Sequence, residues 1–124
     1  MKSCSEIIMT RRSVKKYLPV MPNKEDIDKV IEAGLAAASG RNMQASVIVA
    51  VTNKEIRDRL SRANAEIMGA SGDPFYGAPC VLVVLAEKTA HTYVYDGSLT
   101  LGNMMLAAHE LGLATNGDAH LSYA

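Results

Sequence analysis

From about Tyr95 or Asp96 to Leu111 the chain passes through Leu99, Leu101, Met104, Met105, Leu106, Ala107, Ala108 and Leu111 before Gly112 stops it. This helical stretch has no broad polar face. A helix apolar nearly all round has to be covered on every side, either in a core or between subunits. With 124 residues the chain is long enough for one domain and too short for two ordinary ones. A subunit interface is therefore the more natural place for this helix.

The rest of the pattern alternates helices with two strands. Residues 5–12 read as a short helix capped by Ser3 or Ser5, with Ile7 and Ile8 on its buried side. Ser13 to Leu18 reads as extended, because Pro19 and Pro22 forbid helix continuation. A second helix starts near Lys24, capped by Asn23, with Ile27, Val30, Ile31, Gly34 and Leu35 at helical spacing. The β-branched run Val47–Val51 and the run Ala78–Leu85 read as strands buried on both faces. Between them lies a helix from Lys54 to about Met68, capped by Thr52 or Asn53. Its expected inner face is Ile56, Leu60 and Ala63, with Glu55, Arg57, Asp58 and Arg59 in water. Residues 115–124 have no clear period and read as a frayed tail.

Composition narrows the function classes. Thirteen basic residues balance thirteen acidic ones, which argues against a general nucleic-acid binder or a polybasic membrane protein. No apolar run reaches the length of a membrane span, and the start lacks the apolar core of a signal peptide. Cys4 and Cys80 have no metal-ligand spacing and read as two reduced thiols of a soluble, cytoplasmic chain. His91, His109 and His120 are too scattered for a metal site. His109, on the apolar helix, reads as a satisfied buried histidine rather than a ligand.

Three clusters carry chemical information. Arg11-Arg12-Ser13-Val14-Lys15-Lys16-Tyr17 sets four cations and a hydroxyl at a junction between helix and extended chain. Such a cluster suits a phosphate, since guanidinium forks bind its oxygens in pairs; a solvated basic patch is the plainer reading. Ser39-Gly40-Arg41-Asn42-Met43-Gln44 is a loop of small and amide residues. It suits a planar hydrogen-bonding ligand, or serves only as an ordinary turn. Asp73-Pro74-Phe75-Tyr76-Gly77-Ala78-Pro79 is a rigid approach to a strand.

In this order the three clusters, followed by Asp96-Gly97-Ser98 and the helix through Asn103 to Gly112, resemble the nitroreductase family of FMN-dependent oxidoreductases over residues 5 to about 114. The resemblance implies an α+β fold, a three-layer sandwich with a sheet flanked by helices. It also implies a homodimer with FMN at the subunit interface. Arg11, Arg12 and Ser13 fall where the family grips the flavin phosphate and ribityl chain. Lys15 falls where a cation sits near the pyrimidine edge, on which negative charge gathers during reduction. Ser39, Gly40 and Asn42 fall on the loop that reaches the flavin from the second subunit, and Asn64 is a weaker candidate for a flavin-edge amide. The implied chemistry is ping-pong hydride transfer from NAD(P)H to a small-molecule electron acceptor such as a nitroaromatic or quinone. The cofactor carries that chemistry, so no catalytic side chain is required.

Two departures bear on this. The family's Pro-Trp after the amide loop is here Ala45-Ser46, and its earlier Pro is Ala38. After Ala114 the family continues with a strand, a helix, another strand and a basic phosphate contact, none of which follows here. The chain thus reads as a nitroreductase-like flavin-binding domain over 1–114 with an atypical tail over 115–124, a truncated or frame-altered member whose sandwich is incomplete at the C-terminus. The alternative from another class is a non-catalytic remnant that dimerises or binds flavin without turnover. No residue is assignable to an NADPH 2′-phosphate.

Overall fold

The computed structural model describes residues 1–116 in full and 120–123 as strand backbone. The elements, in chain order, are α1 (Cys4–Thr10), α2 (Lys24–Leu35), β1 (Val47–Val51), α3 (Lys54–Met68), β2 (Cys80–Leu85), α4 (Tyr93–Glu110), β3 (Leu113–Asn116) and β4 (His120–Tyr123). Local chemistry explains the starts. Ser3 and Glu6 form a reciprocal capping box on α1. The Asn23 and Asn53 side chains accept from the third helical N–H of α2 and α3 respectively.

The four strands form one antiparallel sheet in the order β1-β2-β4-β3. Helices flank it, as the α+β expectation requires. The main core joins Ile27 and Val30 of α2, Cys80 and Leu82 of β2, Met104 and Ala108 of α4, and Leu113 of β3. A second, smaller cluster joins Val51, Phe75 and Val81 on the alternate side chains of the sheet. α2 and α4 approach closely at Gly34, where an added Cβ would lie 2.7 Å from Met104 Cγ and 2.9 Å from Ile48 Cδ1. Beside it, Asn103 Nδ2 donates to the Ala33 carbonyl at 2.9 Å.

Several expectations change. α3 does not turn Ile56 and Leu60 inward: Ile56 is 51% exposed, while Arg57 is 8% exposed and Ser61 is also buried. Arg57 is held there by an ion pair to Asp73 and by donating through Nε to the Ala78 carbonyl at 2.8 Å. Its guanidinium also lies 5.4 Å from the Phe75 ring centroid. Burial of the charge is thus compensated by partners that sequence spacing does not reveal. On α1 Ile7 is buried but Ile8 is exposed. β1 is an edge strand with Val47 and Val49 exposed, so it is not covered on both faces in the single chain. α4 buries Asp96, Gly97, Thr100, Met104 and Ala108, and leaves Val94, Tyr95 and Leu99 exposed. In place of a wholly frayed tail, Leu113–Asn116 and His120–Tyr123 pair as antiparallel strands; the remaining tail residues lie outside the described ones.

Candidate functional site

The cationic stretch after α1 is extended because it runs along β3. Ser13 bridges Thr115, and Val14 N–H donates to the Thr115 carbonyl at 2.9 Å. This places Arg11 and Arg12 at a cavity of about 290 Å3 lined also by Lys2, Thr10, Val14, His109, Gly112 and residues 113–115. Arg12 Nη1 donates to the Met9 and Arg11 carbonyls at 3.1 and 2.8 Å. Arg11 differs: its Nη1 is enclosed and has no hydrogen-bond partner among the described residues. A buried, unpaired guanidinium nitrogen is costly unless something accepts from it. Ser13 and Lys15 stand exposed beside this cavity in sequence and do not line it.

His109 was expected to be a buried, satisfied histidine. It is half-buried on the cavity wall, and its Nε2 lies 2.9 Å from Thr10 Oγ1. The Thr10 hydroxyl donates to the Glu6 carbonyl at 2.5 Å. Having spent its proton there, the hydroxyl accepts from His109, so Nε2 carries hydrogen and Nδ1 is the nitrogen that titrates. Burial, followed by the positive charges of Lys2, Arg11 and Arg12, lowers the His109 pKa below its ordinary value. Lys2 and His109 were not among the site residues read from sequence. A lysine at the N-terminus and a histidine on an apolar helix give no spacing signal that joins them to Arg11.

The amide loop contains one 3₁₀ turn, Gly40–Asn42. Ser39 Oγ accepts from Gln44 N–H at 3.0 Å, and Gly40 N–H donates to Asp96 Oδ1 at 3.0 Å. Thr92 Oγ1 donates to the same carboxylate. The approach to Thr92 is so close that a Cβ on Gly40 would lie 2.1 Å from Thr92 Oγ1, so any larger residue there would have to displace the Thr92 side chain. Arg41, Asn42 and Gln44 all adopt positive φ near 53°, a conformation uncommon outside glycine. Ser39 also lines a cavity of about 30 Å3 together with Gly34, Gln44, Ser46, Asp96 and Thr100. That is room for a water-sized guest.

Asn64 is exposed on α3 and lines a third space, a groove of about 600 Å3 between α3 and β2 with Leu60, Ile67, Phe75 and Leu101. These three spaces share no lining residue. Within one chain the Arg11–Arg12 pair, the Ser39–Asn42 loop and Asn64 therefore stand at separate places.

The family model described as "Nitroreductase family" matches residues 8–117. An NADPH-flavin oxidoreductase of Vibrio harveyi is 31% identical over 124 aligned residues, covering 91% of this chain and 52% of its own length. A relative from Archaeoglobus fulgidus, provisionally named an NADH dehydrogenase/NAD(P)H nitroreductase, is 30% identical and is matched over 66% of its length. The chain thus spans between about half and two thirds of the curated relatives it matches. Among solved structures, a nitroreductase with bound FMN from Bacteroides fragilis superposes with a TM-score of 0.80 at 29% identity. That match covers 92% of this chain and 68% of the other.

Proposed function

We propose, from the premise that the chain belongs to the nitroreductase family, that it is the flavin-gripping part of an FMN-dependent oxidoreductase that consumes NAD(P)H. The observation that carries this reading is the cavity that Arg11 lines with Lys2, Arg12 and His109, together with the enclosed Arg11 Nη1, which has no hydrogen-bond partner among the described residues. A phosphate monoester fits that donor set, because its oxygens accept from guanidinium forks and its charge offsets the crowded cations. Support comes also from relatives described as FMN-bound or as NADPH-flavin oxidoreductase.

Each residue has a task in this reading. Arg11 and Arg12 hold the phosphate, and Ser13 offers a hydroxyl to the phosphate or ribityl chain. Lys15 is the fixed cation for the pyrimidine edge. Ser39, Gly40 and Asn42 close over the ring from a second copy of the chain, and Asn64 offers an edge amide. FMN, when bound, supplies hydride transfer from NAD(P)H to an electron-poor acceptor such as a nitroaromatic or quinone. The protein's share is to bind, orient and exclude water. A homodimer is the assembly that joins the separate stretches into one site. The exposed apolar residues Val47, Val49, Leu60, Ile67, Leu85 and Leu99 supply surface for it. Among the described residues no helix is long and apolar enough to cross a membrane.

Anaerobic addition of NADH and of NADPH to FMN-loaded protein tests the activity. Bleaching of the flavin bands, reversed by adding a quinone in alternating half-reactions, is the expected ping-pong behaviour. Bound FMN that neither nicotinamide bleaches would instead favour a flavin-binding remnant without turnover.

A further inference from the structure

We propose that His109 is the proton-linked member of the cationic cavity: protonated, it joins Lys2, Arg11 and Arg12 in holding a phosphate-type dianion, and when neutral it withdraws from that role. The inference rests on the reading of this cavity as the seat of the flavin phosphate, and adds to it a control by pH.

The imidazole shares the cavity wall with Lys2, Arg11 and Arg12, and its Nε2–H is tied to Thr10 Oγ1. That bond fixes the ring in either protonation state and leaves Nδ1 as the site where a proton adds charge. The charges acting on the ring are the cations Lys2, Arg11 and Arg12. Glu6 on α1 is turned to its own cap at Ser3, and Cys4 on the same helix is exposed. Glu110, the neighbouring acid on α4, is exposed. Leu113–Asn116 of β3 bring no ionisable side chain, and α2, which meets α4 around Asn103 and Met104, adds none of the charges felt by His109. Among the described residues the ring therefore faces cations without a compensating carboxylate.

Three cations around the cavity disfavour a fourth. A dianion placed among them reverses the sign of the local field and favours it. Binding and protonation are therefore coupled: the anion draws a proton onto His109, and protonated His109 tightens the anion. The affinity is highest below the midpoint of the free protein and falls as pH rises through the higher midpoint of the complex.

Sulfate is the cleanest probe, because it stays a dianion across the whole range whereas phosphate esters titrate near pH 6. The histidine C–H resonances of the full chain, assigned to His109 by comparison with His109→Gln, should titrate at higher pH when sulfate is present. Sulfate should bind about three- to tenfold tighter near pH 5.5 than near pH 8. His109→Gln keeps an N–H for Thr10 and should flatten that dependence. FMN and riboflavin, titrated in parallel, separate the two readings. Sulfate or FMN that binds without moving the His109 titration overturns this inference and leaves the flavin reading standing. Sulfate binding coupled to His109, with no FMN binding at any pH, supports the coupling and overturns the flavin reading.

Discussion

Asp73 accepts from Arg57 Nη2, from Ser61 Oγ at 2.7 Å, and from the Phe75 and Gly77 N–H groups at 3.0 and 2.8 Å. Burial alone would raise its carboxyl pKa. The hydrogen bonds from Arg57, Ser61 and the two N–H groups more than reverse that and hold it far below the usual carboxylate range. A depressed folded pKa contributes stability that is complete above the unfolded value, about 4. That contribution is lost as pH falls from there toward the folded midpoint. Asp73→Asn is expected to cost about 2 kcal/mol near neutral pH and to weaken the fall of the urea midpoint between about pH 5 and 2. In combination with Arg57→Met the cost should be less than the sum of the two, because the pair acts as one unit. A second residue-scale expectation concerns the thiols. Burial pushes the Cys80 thiol up to about 11, whereas Cys4 is exposed. A thiol reagent at neutral pH should label Cys4 in the folded protein and reach Cys80 only after denaturation, since the thiolate is the reactive form.

At the scale of elements, α3 shows where sequence periodicity runs out. Its apolar residues Ile56, Leu60, Ile67 and Met68 lie at the surface, and its attachment runs through Arg57 and Ser61 to the loop of Asp73. A helical period identifies which residues share a face. It does not say which face a distant aspartate will reach, so the helix was legible and its inward side was not. The same limit applies at the cavity. Arg11 and Arg12 were legible as a cation cluster because they adjoin in sequence, while Lys2 and His109 join them only through the packing of α1 on α4. The runs of β1 and β2, the cap at Asn23, the cap choices that included Ser3 and Asn53, and the stop before Gly112 were local signals and were legible, whereas β3 and β4 fall in a stretch without period and were not. Close packing of α2 on α4 yields a further expectation. Gly34→Ala should cost about 1–3 kcal/mol through overpacking, since its Cβ would meet Met104 Sδ at 2.8 Å. The cost should shrink in a Met104→Ala background, read from urea midpoints of the four proteins.

For the whole molecule, the proposed homodimer is what would bring together the candidate residues that one chain holds in separate spaces and cover the exposed apolar residues of β1, α3 and α4. Sedimentation equilibrium is expected to give twice the monomer mass of 13.3 kDa. Placing a charge on α4 with Leu99→Lys should shift the balance toward monomer by an order of magnitude or more, as burying an unpaired charge costs several kcal/mol. The central claim is that the chain grips a flavin nucleotide by its phosphate through Arg11, and paired fluorescence titrations with FMN and riboflavin test it most directly. FMN should bind at least about tenfold more tightly than riboflavin, with the difference abolished in Arg11→Ala. Equal affinity for the two flavins, or a preference for FMN that survives the loss of Arg11, would contradict it.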